Sequence, residues 1–176
     1  VFSTYKDDSE ISKLNDCLSD LTYPPKSFCF KSASQELITL FERAEIIESM
    51  SMGAFTPRPL VTVVQTYDFS AIGKGYAVDK VGEVLVKNGI SNYFIDIGGE
   101  VSINGTKYGE AWTWGVNNPF NLNSGAYRVF EAPENGISIA TYGEYRNPGH
   151  IWGEGPKDAV SVTVIDENTT DADAWA

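Results

Sequence analysis

The stretch Asp68-Phe69-Ser70-Ala71-Ile72-Gly73-Lys74-Gly75-Tyr76-Ala77-Val78-Asp79 places an acid, a lysine and two glycines where a strand passes into a helix. The β-branched and aromatic residues 61–67 before it predict the strand. After it, apolar residues recur at helical spacing up to Gly89, which predicts the helix. Free N–H groups at a helix start suit an anion such as phosphate, and Lys74 would add a positive charge. A plain strand-to-helix turn fits the same local pattern.

The order of helical and strand patterns along the chain indicates the fold class. Residues 7–15 and a segment capped by residues 32–35 have helical patterns. Later segments rich in strand-forming residues predict β structure, over residues 93–97, 111–116, 126–130, 137–141 and 160–165. Helices that come early and strands that come late are typical of an α+β domain. Because no repeat or long linker divides the sequence, we predict a single domain over residues 1–176.

Composition narrows the classes of partner. The chain has 13 Lys and Arg against 24 Asp and Glu, a net charge of −11, which disfavours nucleic acid and anionic lipid surfaces. No apolar run has the length of a membrane span, and no signal peptide is recognisable, although a leader could precede Val1. Cys17 and Cys29 are the only cysteines, and two free thiols or one disulfide are both compatible with them.

Five segments together resemble one protein family. They are residues 3–15, beginning Ser-Thr-Tyr; residues 68–79; Ile95-Asp96-Ile97-Gly98-Gly99-Glu100; residues 139–147, with Tyr142 where a serine is usual; and residues 160–165 followed by Ala172-Asp173-Ala174. In this order they resemble the motifs of the ApbE family of FAD:protein FMN transferases. The resemblance implies an α+β, T-fold-like ApbE-type domain, with helices early and antiparallel strands late.

The resemblance also implies an activity. Members of that family use Mg²⁺ and move FMN from FAD onto a threonine side chain of a partner flavoprotein, with release of AMP. Chemically this is phosphoryl transfer. Two alternatives are compatible with the same residues: an Mg²⁺-dependent FAD pyrophosphatase that yields FMN and AMP, and a flavin-binding module without turnover.

The resemblance assigns FAD-binding roles to residues in four segments. They are Tyr5, Ala54, Phe55, Thr56, Asp68, Lys74 and Trp152. Tyr5 would stack on the flavin ring, while Lys74 and the turn with its two glycines would hold the pyrophosphate. Thr56 stands where the family has an aspartate, so it offers a hydroxyl without a charge.

The implied metal ligands are the backbone carbonyl of Ala71 and the carboxylate of Asp173. The family's third ligand, a threonine, would come directly after Ala176, so we expect Mg²⁺ binding and turnover to need residues beyond that point. We also expect Asp173 to lie on an acidic end that frays. His150 is the only histidine and hence the candidate general base, although a lone histidine is often structural.

Compared with the family, the sequence resembles a shortened domain that is truncated at both ends. The family's first strand and a long insert between Leu60 and Val61 have no counterpart here. Relatives are often exported and lipid-anchored. We therefore expect an exported protein of the periplasm or cell envelope, which touches a membrane only through an N-terminal lipid anchor outside this sequence.

Overall fold

The structure is a computed structural model that describes residues 2–20, 26–58, 66–143 and 159–176. The chain divides into two compact units, residues 1–73 and residues 74–176. Each unit is described below by itself. The single-domain organisation stays a prediction.

The first unit is built from helices. They are α1 (Glu10–Ser19), a 3₁₀ helix (Lys26–Ser32) and α2 (Gln35–Met50). Each α-helix begins after a serine whose hydroxyl accepts a backbone N–H of the first turn: Ser9 caps α1 and Ser34 caps α2. The two helices predicted early in the sequence are therefore confirmed, with α1 beginning later than expected because Ser9 is its cap.

Several aromatic rings of the first unit pack against one another. Phe41 contacts Phe30, Tyr67 and Phe69 edge-on, with ring centroids 4.9 to 6.4 Å apart. The backbone of Tyr67 is also fixed, because its N–H donates to Asn15 Oδ1 and its carbonyl accepts from Asn15 Nδ2, both at 2.8 Å. Helix α1 thereby holds the segment that leads to Asp68.

Cys17 and Cys29 form a disulfide with their Cα atoms 5.7 Å apart. It links α1 to the 3₁₀ helix, and Cys29 is buried. Of the two possibilities that the sequence leaves open, the structure has the disulfide.

The second unit combines a sheet with two helices, α3 (Gly73–Lys87) and α4 (Thr169–Trp175). Its strands are β1 (Tyr93–Ile97), β2 (Glu100–Asn104), β3 (Thr106–Lys107), β4 (Glu110–Ala111), β5 (Thr113–Asn117), β6 (Ala126–Glu131), β7 (Ile137–Gly143) and β8 (Ser161–Asp166). A short 3₁₀ helix, Leu122–Ser124, precedes β6. The main sheet has the order β1-β2-β7-β8 and is antiparallel throughout. Two further antiparallel pairs, β3–β4 and β5–β6, complete the unit.

The core of the second unit lies between the main sheet and the β5–β6 pair. Ile103 of β2 and Ile139 of β7 pack with Trp114 of β5 and are almost fully buried. Trp114 stacks on Phe130 of β6 with ring centroids 4.8 Å apart. Helix α4 packs against β7 and β8, so the chain's last helix is part of this unit's structure.

The α+β class, with early helices and late antiparallel strands, is confirmed. All five strands predicted from residue 93 onward are present within a few residues of the expected bounds, whereas β2, the short β3–β4 pair and α4 were not predicted. The strand expected over residues 61–67 falls largely outside the described residues. Across the described ranges, the helices are all too short or too polar to cross a lipid bilayer.

The disulfide should stabilise the first unit. We expect its removal in the double variant Cys17→Ser/Cys29→Ser to lower the free energy of unfolding by about 3 kcal/mol. The two cysteines are 12 residues apart, and closing a loop of this length restricts the unfolded chain. Urea unfolding, monitored by circular dichroism, measures the change. Dithiothreitol should reproduce this loss in the wild type and have no effect on the variant. Equal stability of the wild type with and without reductant would contradict the prediction.

Candidate functional site

The candidate site is centred on the carboxylate of Asp173, which α4 carries into the second unit. Its Oδ2 accepts the Gly75 backbone N–H at 2.8 Å, and its Oδ1 accepts the Tyr142 hydroxyl at 3.0 Å. The residue is 2% exposed, and burial away from water raises the pKa of Asp173 to about 6 despite the hydrogen bond from Gly75. The expectation that Asp173 lies on a fraying end is therefore wrong: a buried helix holds it in place.

Gly75 allows α3 and α4 to approach closely. A Cβ atom at this position would lie 2.3 Å from the carbonyl oxygen of Thr169 and 2.8 Å from Cβ of Asp173. The glycine is thus required by the contact between two helices. Its N–H belongs to the first turn of α3, where a carboxylate satisfies an unpaired donor and complements the helix dipole.

The expectation that the amides of both glycines cradle a phosphate is not supported. The Gly75 N–H donates to Asp173, and the Gly73 N–H donates to the carbonyl of Phe69 at 2.7 Å. Both donors have acceptors within the protein. The sequence pattern indicates a helix start that needs an anionic cap, and the protein supplies that anion itself.

Asp79, on α3, is the last residue of the stretch 68–79, and its carboxylate binds the first turn of α4. Its Oδ1 accepts the Thr169 N–H at 2.8 Å, and its Oδ2 accepts the N–H and the hydroxyl of Thr170 at 2.8 and 2.5 Å. Both threonines are buried. The two helices are therefore joined at two points, since Asp79 satisfies the first turn of α4 while Asp173 satisfies the first turn of α3.

Lys74 lies beside a second buried carboxylate. Its Nζ donates to Glu100 Oε1 at 2.7 Å, and Glu100, the first residue of β2, is fully buried. The other oxygen, Glu100 Oε2, has no hydrogen-bond partner among the described residues. A buried carboxylate oxygen without a donor is costly, and such atoms often mark a place where an ion or water binds.

Tyr142 connects these groups. Besides donating to Asp173, its ring lies 5.5 Å from Lys74 Nζ, within the range of a cation–π contact. Burial, followed by the charge of Asp173, raises the pKa of Tyr142 far above its ordinary value, so the phenol remains a hydrogen-bond donor at neutral pH.

A groove of about 700 Å³ opens beside this cluster within the second unit. Lys74 and Tyr142 form part of its wall. The rest of the lining is mixed: it includes the apolar or aromatic residues Phe94, Val101, Trp114 and Ile139, the polar residues Asp96 and Thr141, and several glycines. A concave site with this mixture of surfaces is typical of small-molecule binding.

The first unit contains most of the other predicted flavin-binding residues. Tyr5 and Ala54 are exposed, whereas Phe55 is buried. The Thr56 hydroxyl donates to Glu48 Oε1 at 2.6 Å, next to the Arg58–Glu48 ion pair. Asp68 Oδ1 accepts the N–H of Ser70 at 2.8 Å. Ala71 lies in the turn before α3 and is exposed. Their contacts with flavin or metal stay predictions.

Two predicted residues, His150 and Trp152, lie outside the described residues. Of the predicted site residues, Lys74 and Asp173 belong to the same unit and share Tyr142 as a contact. Sequence reasoning missed the roles of Asp79 and Glu100 in this cluster. Both are acids within motifs that the resemblance had already singled out, and that was the available signal.

The oxygen atoms in this cluster could bind Mg²⁺, but they would provide only a few protein ligands. No group of three or more His, Cys, Asp or Glu side chains that could hold a metal ion occurs in the part of the chain that the structure describes. The carboxylate of Asp173 and the unpartnered Glu100 Oε2 do supply hard oxygen donors. Mg²⁺ prefers such donors and usually keeps several waters, so this chemistry is compatible with it.

The sequence is similar to that of one known protein family. The model of the ApbE family matches residues 63–176. An FAD:protein FMN transferase of Salmonella typhimurium is 30% identical over 122 residues, which cover 61% of this chain and 34% of that protein. The chain thus spans about a third of the length of the curated relatives it matches.

Two solved structures have a similar fold. The flavin transferase ApbE from Vibrio cholerae has a TM-score of 0.71 and 24% identity, with 99% of this chain and 71% of that one covered. The apo form of the Pseudomonas stutzeri flavinyl transferase ApbE has a TM-score of 0.76 and 21% identity, with 98% and 68% covered.

We expect Asp79→Ala to lower the free energy of unfolding by about 2–4 kcal/mol, because it removes hydrogen bonds to a charged acceptor and leaves two buried N–H groups unpaired. Glu83→Ala is the matched control, since Glu83 lies on the same helix but pairs with Lys80 at the surface, and it should cost less than about 0.5 kcal/mol. Urea unfolding measures both. Equal losses in the two variants would show that Asp79 does not hold α4.

Proposed function

Because the chain belongs to the ApbE family, we propose that it takes part in moving FMN from FAD onto a threonine side chain of a partner flavoprotein. In this reaction the threonine oxygen attacks the phosphorus of the FMN half of the pyrophosphate. A new P–O bond forms, the bond to the AMP phosphate breaks with its electron pair leaving on AMP, and the hydroxyl proton passes to solvent.

The observation that carries the proposal is the position of Lys74 on the wall of the groove, beside two buried carboxylates. In a chain with a net charge of −11, a phosphate needs a local cation in order to bind. Lys74 is exposed enough to reach a ligand while Glu100 holds its ammonium. The apolar surfaces of the groove offer a flat heterocycle a place to pack.

Electrostatics supports a divalent cation in this function. The cluster places two acidic side chains, Asp173 and Glu100, near the single ammonium group of Lys74. An incoming pyrophosphate would meet net negative charge there. Bound Mg²⁺ would supply the missing positive charge and neutralise charge that develops on the pyrophosphate. Asp173 and Glu100 are the residues that would hold it.

We also propose that the protein works outside the cytoplasm. The Cys17–Cys29 disulfide supports this location, because disulfides persist in oxidising compartments such as the periplasm and are rare where thiols are kept reduced.

Ligand titration tests the role of Lys74. We expect Lys74→Met to weaken FAD binding about tenfold or more and to leave riboflavin, which has no phosphate, nearly unaffected, because one charge-assisted contact is lost. Quenching of flavin fluorescence measures both affinities. Lys80→Met, on the same helix, is the control and should alter neither. Equal losses for FAD and riboflavin would mean that Lys74 acts through folding.

The reaction itself is followed by AMP release, on the protein at its full natural length. With Mg²⁺ and an acceptor flavoprotein, AMP should appear together with FMN bound covalently to the acceptor. AMP with free FMN would identify hydrolysis instead. If FAD binds and neither product forms, the chain is a flavin-binding module. Absence of saturable FAD binding would contradict the proposed function.

A further inference from the structure

Among the described residues of the second unit, Tyr142 contacts both side chains that are predicted to bind ligands, those of Lys74 and Asp173. Its hydroxyl donates to Asp173 Oδ1 at 3.0 Å, and its ring lies 5.5 Å from Lys74 Nζ. Tyr142 also lines the groove. One side chain therefore connects the candidate metal ligand, the candidate phosphate ligand and the space where a substrate would lie.

The backbone that carries Tyr142 lies in β7 and is held there by the neighbouring strand β8. In β7, Tyr142 pairs with Val162 of β8, and its carbonyl accepts the hydroxyl of Ser161 at 3.0 Å. The preceding residue, Thr141, shares a hydrogen bond with Thr163 across the same strands, also at 3.0 Å. A side chain that projects from a paired strand is placed more precisely than one on a loop.

Serine, the residue that the resemblance leads one to expect at position 142, could not make both contacts. Its hydroxyl lies one bond from Cβ, and it has no aromatic face for an ammonium. With serine there, Lys74 would lose its ring contact. The arrangement is thus a feature of this chain rather than of the general pattern.

We propose that Tyr142 is a positioning residue of the flavin site, whose hydroxyl orients Asp173 for a metal ion and whose ring orients Lys74 for a phosphate. This inference rests on the function proposed above and adds one residue with two separable roles.

The hydroxyl acts by completing the hydrogen bonds of a buried carboxylate. The Gly75 N–H fixes one oxygen of Asp173 and the Tyr142 hydroxyl fixes the other, so the plane of the carboxylate is set from both sides. Each oxygen retains a lone pair for a cation, because a carboxylate has about four acceptor positions. Without the hydroxyl, the carboxylate could turn about its terminal torsion, and a metal ion would have to order it on binding.

The ring acts on the ammonium of Lys74. Glu100 draws Nζ from one direction and the ring face of Tyr142 attracts it from another, so two contacts define its position. Lys74 is otherwise an exposed, flexible side chain, and holding it in advance lowers the entropy lost when a phosphate binds.

Two substitutions separate the roles. Tyr142→Phe removes the hydroxyl and keeps the ring. In the protein at its full natural length we expect Mg²⁺ affinity, measured by calorimetry with MgCl₂ alone, to fall about tenfold. FAD affinity without Mg²⁺ should change less than twofold. Tyr142→Leu removes both contacts, and FAD affinity without Mg²⁺ should fall a further two- to fivefold, with riboflavin unaffected. Tyr127→Phe, at an exposed tyrosine of β6, is the matched control and should change neither affinity.

A double-mutant cycle makes the ring contact specific. Lys74→Met in the Tyr142→Leu background should cost less FAD affinity than it does in the wild type, because the two side chains interact. Thermal unfolding of each variant accompanies the titrations. Unchanged or tighter Mg²⁺ binding in Tyr142→Phe, or additive losses in the cycle, would overturn the inference while the function stood. A wild type that binds no FAD would overturn both.

Discussion

The hydrogen bond from the Gly75 amide to the Asp173 carboxylate is the contact on which the second unit's candidate site depends. It joins residues 98 positions apart and brings the first turn of α3 against α4. Only a glycine permits this approach, because any Cβ at position 75 would collide with the backbone of Thr169. Asp79 makes the reciprocal link to α4. These two links hold α4 where Asp173 is buried and contacts Tyr142, and burial raises the pKa of Asp173 although the Gly75 hydrogen bond itself lowers it.

The same packing creates an electrostatic imbalance that suits the proposed chemistry. Two carboxylates lie buried near one ammonium, and an oxygen of Glu100 has no donor among the described residues. A protein that needed only stability would gain from apolar side chains at these positions. Charges kept in a buried cluster beside a groove are typical of functional sites, where the ligand and its counter-ion complete the balance.

Local sequence patterns were enough to predict most of the helices and strands. The elements that they did not predict depend on contacts between residues far apart in the sequence. The strands β1, β6 and β7 were predicted because β-branched and aromatic residues stand between clear turn signals. Helix α4 was not predicted, because a segment of seven residues that includes two acids resembles a solvent-exposed chain end. Asn168 caps this helix locally, and Asp79, about 90 positions earlier in the sequence, also stabilises its first turn. Long-range contacts also explain what was missed at the candidate site. The sequence motifs indicated Lys74 and Asp173. The contacts of Glu100 with Lys74 and of Tyr142 with Asp173 depend on the folded sheet, which carries Glu100 on β2 and Tyr142 on β7.

The candidate site depends most directly on the buried hydrogen bond between the Gly75 amide and the Asp173 carboxylate, and a pH titration of this amide by two-dimensional ¹⁵N–¹H NMR tests it. In metal-free protein the amide resonance should shift with a midpoint near pH 6, because the pKa of Asp173 is raised to about 6. Asp173→Asn should abolish this shift. A midpoint of about 4, the ordinary pKa of an exposed aspartate, or a Gly75 resonance that does not respond to pH, would show that this buried hydrogen bond is not formed.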